Sequence, residues 1–389
     1  MRKNRRFLGL LLAGLCELLL VVAPTRAQIG KYVPIPAGSD ADRALAEINS
    51  TTDPTQKLAL IDKFASTIAQ GDMAIVADDL YVNHYIAAKN YDKAFEYGEK
   101  LFAIDPDNFS NAVNMVRAAQ EKGDADKLSK YGAKAAGILK AYKDASAPEG
   151  KSAPEWDEEK KRTLENAHDS IVYVQQLIFN GAYQATDPAK RAGMLVQFAQ
   201  EFPDSPYADQ AMGVAAASYR QTQNTGKMLE VANGLLAKDP NNIGMLLLLA
   251  DYYGEKGEQL DKAEAEAKKA STLLNAAKKP EGLTDEQWQQ QSSLQKGLAL
   301  SSLGQVNIQK KNNAAAVENL KAAAPLLKAD ANSYARNQYR LGYALLNLKK
   351  VPEAKQAFTE AASVNSPYKQ PAQDKLKAMA GATSARAKS

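Results

Sequence analysis

Apolar residues recur along this chain in short bursts, three to four positions apart, and the bursts come in pairs. In RLGYALLNLKKVPEAKQAFTEAA (Arg340 to Ala362), Leu341, Ala344, Leu345 and Leu348 fall at i, i+3, i+4 and i+7, which is one face of a helix. The pattern breaks at Lys349-Lys350-Val351-Pro352. Proline suits the first turn of a new helix, because its missing N–H would have no partner there. Ala354, Ala357, Phe358 and Ala361 then mark one face of a second helix. The spacing predicts two short antiparallel helices, with alanines small enough to let the backbones approach. Neither helix hides its apolar stripe alone, so the pair needs neighbours.

The rest of the chain follows suit. No sustained alternation of Val, Ile and Thr is present, and Ala, Leu, Glu, Lys and Gln favour helix throughout. An all-α fold is expected. With 389 residues, 45% hydrophobic and 24% charged, the chain has ordinary globular composition and room for two or three domains.

The opening pair has relatives. Leu303-Gly304, Ala316, Leu320 and Ala323 match Leu341-Gly342, Ala354, Phe358 and Ala361 at a constant offset of 38. NYDKAFEYGEKLFAIDPDN (from Asn90) and TGKMLEVANGLLAKDPNN (from Thr225) have the second-helix form closed by Asp-Pro. YGEKGEQLDKAEAEAKKAS (from Tyr253) is another helix-turn-helix joint, with Gly257 ending its first helix. A longer duplication overlies these units. Thr52-Asp53-Pro54, Phe64, Tyr85 and Pro106 recur 134 residues later as Thr186-Asp187-Pro188, Phe198, Tyr219 and Pro240. Pro148-Glu149-Gly150 with Trp156 recurs as Pro280-Glu281-Gly282 with Trp288, offset by 132. Each of these PEG loops is expected to interrupt the stack and to precede a longer helix opened by tryptophan.

These units resemble tetratricopeptide (TPR) repeats of the bacterial cell-envelope type: about 34 residues, Leu-Gly early, Ala midway, then an aromatic or leucine, and Pro at the end. Ala94 with Pro106, Tyr219 with Pro240, and Leu341-Gly342 with Ala354 carry the pattern, and FPDSPYADQA (from Phe202) resembles junctions in that group. The resemblance implies a right-handed α-solenoid of stacked antiparallel helix pairs, about seven TPR-like units. The expected organisation is repeats over 40–145, a PEG loop at 146–155, repeats over 156–277, a second loop at 278–287 and repeats over 288–366. A polar capping helix at 367–380 and a disordered tail at 381–389 complete it.

The N-terminus changes the charge picture. MRKNRR is a basic region, FLGLLLAGLCELLLVVA is an apolar region, and PTRA offers a small-residue cleavage site, so residues 1–27 read as a signal peptide cut after Ala27. The alternative is an uncleaved anchor, which Glu17 inside the apolar run disfavours. Residues 28–39 read as a Pro/Gly linker. Lys+Arg number 49 and Asp+Glu 45; removing Arg2, Lys3, Arg5, Arg6, Arg26 and Glu17 leaves 44 of each. A neutral mature chain gives no net-charge argument for nucleic acid. The one cysteine, Cys16, leaves with the signal, so no disulfide is expected after export.

Catalytic chemistry has little to stand on. His84 and His168 lie far apart without metal-ligand spacing, no phosphate-binding glycine loop is present, and no serine sits in a nucleophile elbow. The matched tryptophans read as packing residues that seal the stack beside each loop. No enzyme activity, cofactor or metal is expected. In the TPR family the first helix of each pair lines a concave groove. The resemblance therefore implies a partner-binding groove bearing Arg336, Arg340, Tyr343 and Asn347, spaced i, i+4, i+7 and i+11, with Asn83, Asn114 and Arg117 at comparable places in two earlier units. Some family members clamp a partner's terminal carboxylate with Lys, two Asn, then Lys and Arg. Asn83 and Asn114 fit the two Asn positions, but Asp79 stands where the first Lys belongs, with the wrong sign, so that clamp is not expected. The implied function is a non-catalytic exported scaffold or adaptor of the periplasm or cell envelope that binds a protein or peptide. The alternatives are a solenoid that binds or acts on envelope polysaccharide, which requires Trp156 and Trp288 exposed along a groove, and a membrane-tethered assembly factor.

Overall fold

The structure, a computed structural model, describes residues 29–280 and 282–386, with backbone alone for residues 381–386. The signal segment and its cleavage site lie outside the described residues, as do Glu281 of the second PEG loop and residues 387–389 of the tail. The described residues divide into two compact units, those up to 185 with 197–208, and 186–196 with those from 209 onward.

The first unit holds α1 (Asp40–Ser50), α2 (Pro54–Thr67), α3 (Met73–Ala87), α4 (Tyr91–Ile104), α5 (Phe109–Lys122), α6 (Ala125–Asp144), α7 (Ala153–Asn166) and α8 (His168–Gln184). Helix α9 (Pro188–Glu201) is divided between the units. The second unit holds α10 (Ala208–Gln221), α11 (Thr225–Lys238), α12 (Ile243–Lys256), α13 (Leu260–Ala276), α14 (Asp285–Gln309), α15 (Asn313–Leu327), α16 (Ala331–Asn347), α17 (Val351–Ser363) and α18 (Lys369–Arg386). Every described element is helical. Consecutive helices pair closely: α1 with α2, α3 with α4, α5 with α6, α12 with α13, α14 with α15, and α16 with α17.

The α16–α17 pair is built as its sequence predicts. Leu341, Ala344, Leu345, Ala354, Ala357, Phe358 and Ala361 are all buried in one cluster, which Leu348 flanks. Lys349 takes a left-handed conformation (φ 60°) at the joint, and its N–H and that of Lys350 reach back to Leu346 O and Leu345 O, at 2.9 Å each. This closes the last turn of α16 as helix C-caps do. Pro352 sits in the first turn of α17. The Leu-Gly signature has a steric cause: a Cβ on Gly342 would lie 2.7 Å from Cε1 of the fully buried Phe358 ring. Gly304 stands against Leu320 in the same way one pair earlier. In these two pairs the aromatic or leucine of the second helix therefore rests directly on the backbone of the first.

Three segments differ from the sequence expectation. Residues 29–36 are docked on the repeats. Ile29 is buried, its carbonyl accepts from Phe109 N–H (3.1 Å), and Lys31 N–H donates to Asp105 Oδ2 (2.9 Å). Gly30 is needed there, with φ 120° and Asp105 2.8 Å from where a Cβ would stand. The first PEG loop precedes a short helix rather than a long one: α7 ends at Asn166, and α8 starts afresh after Ala167. Its sequence APEWDEEKKRTLEN carries almost no apolar stripe, and Thr163 is its one fully buried residue. In the second copy the helix, α14, runs unbroken for 25 residues. Finally, α18 continues to Arg386, past the expected end of the cap at 380, because the tail's alanines favour helix and no proline stops it.

Replacing Gly342 with Ala sets a helix-propensity gain of about 1 kcal/mol against overpacking of about 1–3 kcal/mol. With Phe358 held on all sides, overpacking is expected to win and lower stability in chemical denaturation. A more stable Gly342→Ala chain would mean that ring is not seated on α16.

Candidate functional site

The densest polar constellation among the described residues lies in the second unit and draws on four alternate helices. Asp251 and Glu255 are one turn apart on α12, and Arg336 and Arg340 are one turn apart on α16. Both spacings place the two side chains on a shared helix face. Arg220 comes from α10, and Ser301 and Ser302 from α14. Gly254 brings α14 close: a Cβ there would lie 3.2 Å from Val306 Cγ2.

Asp251 is the centre. Its Oδ2 accepts from Arg220 Nη2 at 2.6 Å and from Arg336 Nη1 at 2.7 Å, and its Oδ1 from Arg340 Nη2 at 2.9 Å. Glu255 accepts from Arg220 at 2.7 Å and from Arg340 at 2.8 Å. Arg340 also reaches Ser301 Oγ at 3.3 Å. Asp251 is 4% exposed and Arg340 is 5% exposed, so these are desolvated charges whose pairing is obligatory. Burial alone would raise the Asp251 pKa, but the three guanidiniums override it and hold the carboxyl far below its usual range. Three arginines against two carboxylates leave one positive charge in excess.

The sequence-predicted stripe on α16 exists, and the structure shows what each member touches. Arg336 and Arg340 do fork carboxylates, those of this chain's own Asp251 and Glu255. Tyr343 is half-buried, edge-on to Phe358, with Lys375 Nζ of α18 4.8 Å from its ring centre. Asn347 is exposed at the end of α16 and donates to Asn313 Oδ1 at 3.0 Å. Arg220 and Asp251 were not singled out from the sequence, and Glu255, which reads there as one of several carboxylates on solvated helix faces, is held by two arginines. Asp251 did leave a signal there, as the lone acid after the apolar run MLLLLA (Met245 to Ala250).

The other three candidates belong to the first unit. Asn83 is exposed on α3 and donates to Asp79 O (2.9 Å) and Asp79 Oδ2 (3.1 Å). Asn114 and Arg117 are half-buried on α5, and Arg117 Nε is buried without a hydrogen-bond partner. Burial pushes Asp79 up to about 6, with Asn83 and Arg117 pulling the other way. Its neighbour Asp78 is likewise raised to about 6 by burial, against Lys100. His84 is half-buried and its pKa is lowered by burial and by Lys57, whereas His168 is exposed. Trp156 is half-buried: its indole N–H donates to Ala145 O (2.9 Å) and its ring meets Tyr142 edge-on. Trp288 is half-buried on α14.

Among solved structures, the chain is similar to yeast Tom70, at 12% identity over 92% of this chain and 68% of that one, with a TM-score of 0.37. It is also similar to the TPR domain of P58(IPK), at 14% identity over 89% of this chain and 99% of that one, with a TM-score of 0.23. No family model and no curated protein sequence matches it.

One carboxylate in the second unit is left over. Glu266 on α13 is buried, its Oε2 has no partner, and Lys262 Nζ comes no nearer than 3.9 Å to Oε1. Burial raises its pKa to about 7, and Lys262 offsets only part of that. The folded value lies above the unfolded one, so the folded chain keeps a proton that the unfolded chain has lost. Stability should therefore fall as pH rises from about 4.5 to 7 and stay low above it. Glu266→Gln is expected to stabilise by about 1–3 kcal/mol at pH 8 and to change little at pH 4.5, read by denaturant unfolding at both. An equal effect at the two pH values would contradict a titrating, desolvated Glu266.

Proposed function

We propose that this chain is a non-catalytic scaffold, exported to the periplasm or cell envelope with its signal segment removed after Ala27, that binds a protein partner over the polar faces of its helix pairs. The observation that carries this reading is the repeated division of labour within the pairs. Second helices such as α15 and α17 supply apolar seams, while alternate helices such as α3, α5, α10, α12 and α16 carry arginine, asparagine and carboxylate side chains. Within each unit, a face of that kind recognises a partner through many modest contacts. In the first unit, Asn83, Asn114 and Arg117 are the candidate contacts. Asn83 is exposed and Asn114 and Arg117 are half-buried, so all three present polar surface to a partner. The glycan alternative gains no support from Trp156, whose indole is taken up by Ala145 and Tyr142. The membrane-tethered alternative turns on residues 1–27, which lie outside the described residues.

The test is affinity capture of the tagged chain from its native envelope after mild cross-linking, beside an Asn83→Ala/Asn114→Ala/Arg117→Ala variant, with the mature mass read in the same preparation. A defined protein is expected with the wild type and at least ten-fold less of it with the variant, a loss of about 1.4 kcal/mol or more. The mass should place the N-terminus at Gln28. Enrichment of glycan with no protein would overturn the scaffold reading.

A further inference from the structure

We propose that Arg336, with Arg340, Arg220 and the hydroxyl of Tyr368, forms an oxyanion-binding site on the second unit. The proposal rests on the charge and donor balance of the Asp251 network. Three guanidiniums face two carboxylates, so the cluster holds one uncompensated positive charge where the surroundings are largely desolvated. That excess concentrates on Arg336. Arg340 bonds both carboxylates and Ser301, and Arg220 bonds both carboxylates and lies 3.5 Å from Leu248 O. Arg336 instead has one close bond, to Asp251, with Glu255 3.7 Å away. Its Nε is buried with no partner at all. A guanidinium offers five donors in a fixed fork, and the 18% of the Arg336 side chain that stays exposed leaves part of that fork open to an incoming acceptor.

Tyr368, in the turn between α17 and α18, supplies a further donor. It is half-buried, its ring packs against Tyr339 of α16 with 5.6 Å between ring centres, three residues along the helix from Arg336, and burial keeps its hydroxyl protonated. The cluster is also reached by solvent. The Glu255 side chain is 36% exposed and that of Arg336 is 18% exposed, so the cluster meets solvent at this rim while Asp251 and Arg340 stay covered. The charged groups facing the site are Arg220, Asp251, Glu255, Arg336 and Arg340, and their sum selects an anion against a cation. The ligand class is a planar or tetrahedral oxyanion able to accept from a guanidinium edge and a phenol. A carboxylate on a protein partner and a free sulfate or phosphate share that chemistry. The partner source rests on the scaffold reading above; the site itself does not.

Isothermal calorimetry on the full mature chain, at constant ionic strength with chloride as the reference anion, tests the site with two probes: sulfate and a tetraglutamate peptide. Sulfate is expected to bind the wild type. Glu255→Gln removes the competing charge at the rim and should tighten binding about ten-fold, whereas Arg336→Gln should weaken it about ten-fold. Tyr368→Phe leaves every ion pair in place, so it serves where Arg336→Gln fails to fold, and it should weaken binding several-fold. General salt effects on the protein surface act on all variants alike. Tetraglutamate binding that Tyr368→Phe weakens assigns the site to a partner's carboxylate, and sulfate binding without tetraglutamate binding assigns it to a free oxyanion. No sulfate binding to wild type or Glu255→Gln, or equal binding to wild type and Tyr368→Phe, overturns the proposal. A protein partner captured through Asn83, Asn114 and Arg117 would then still stand.

Discussion

Asp251 is a single carboxylate on which three guanidiniums converge, and much of the second unit is arranged to make that possible. A carboxylate 4% exposed is tolerable only if its charge is answered at hydrogen-bonding distance. The answer comes from Arg220 on α10 and from Arg336 and Arg340 on α16. Helix α14 contributes Ser301 and Ser302 and approaches α12 over Gly254. Repeat stacks are held mainly by contacts between neighbouring units. Here ionic bonds also join residues 85 to 89 positions apart in the chain. Removing one partner would strand a buried charge, at a cost of about 3–5 kcal/mol, so the network fixes how these helices pack as well as how polar their shared face is.

The same network changes what the α16 stripe means. Spacing alone put Arg336, Arg340, Tyr343 and Asn347 on one face, and they are there. Their partners were not legible, because a helical period reports which residues share a face and says nothing about what lies opposite. Asp251 and Glu255 belong to a different pair, and no local pattern connects them with α16. What was legible is local: the apolar seams, the proline at the start of α17, and the Leu-Gly signature whose glycine admits Phe358. Each of these is settled within one helix pair.

The sequence expectation departed from the structure where local rules compete with packing. Residues 29–36 have linker composition, yet Ile29 finds an apolar site and Gly30 lets the backbone approach Asp105. The two PEG loops match in sequence and spacing, yet the helices after them differ, α7 being short and polar and α14 long and continuous. A duplicated motif preserves a turn more readily than the element that follows, because that element depends on the apolar face it presents. The first unit has a polar face of its own. Arg117 keeps a buried unpaired nitrogen, so this polar face is incompletely satisfied within the chain. An unsatisfied face gains from a partner, and the first unit carries the binding residues tested above.

The central claim is that one buried carboxylate couples four helices of the second unit. Amide hydrogen exchange on wild type and Asp251→Asn, under conditions where both are folded, tests it most directly. Coupling predicts that protection falls together on α10, α12, α14 and α16, while α3 to α6 of the first unit are unchanged. Loss of protection confined to α12 would contradict it, and would reduce the network to a local ion pair.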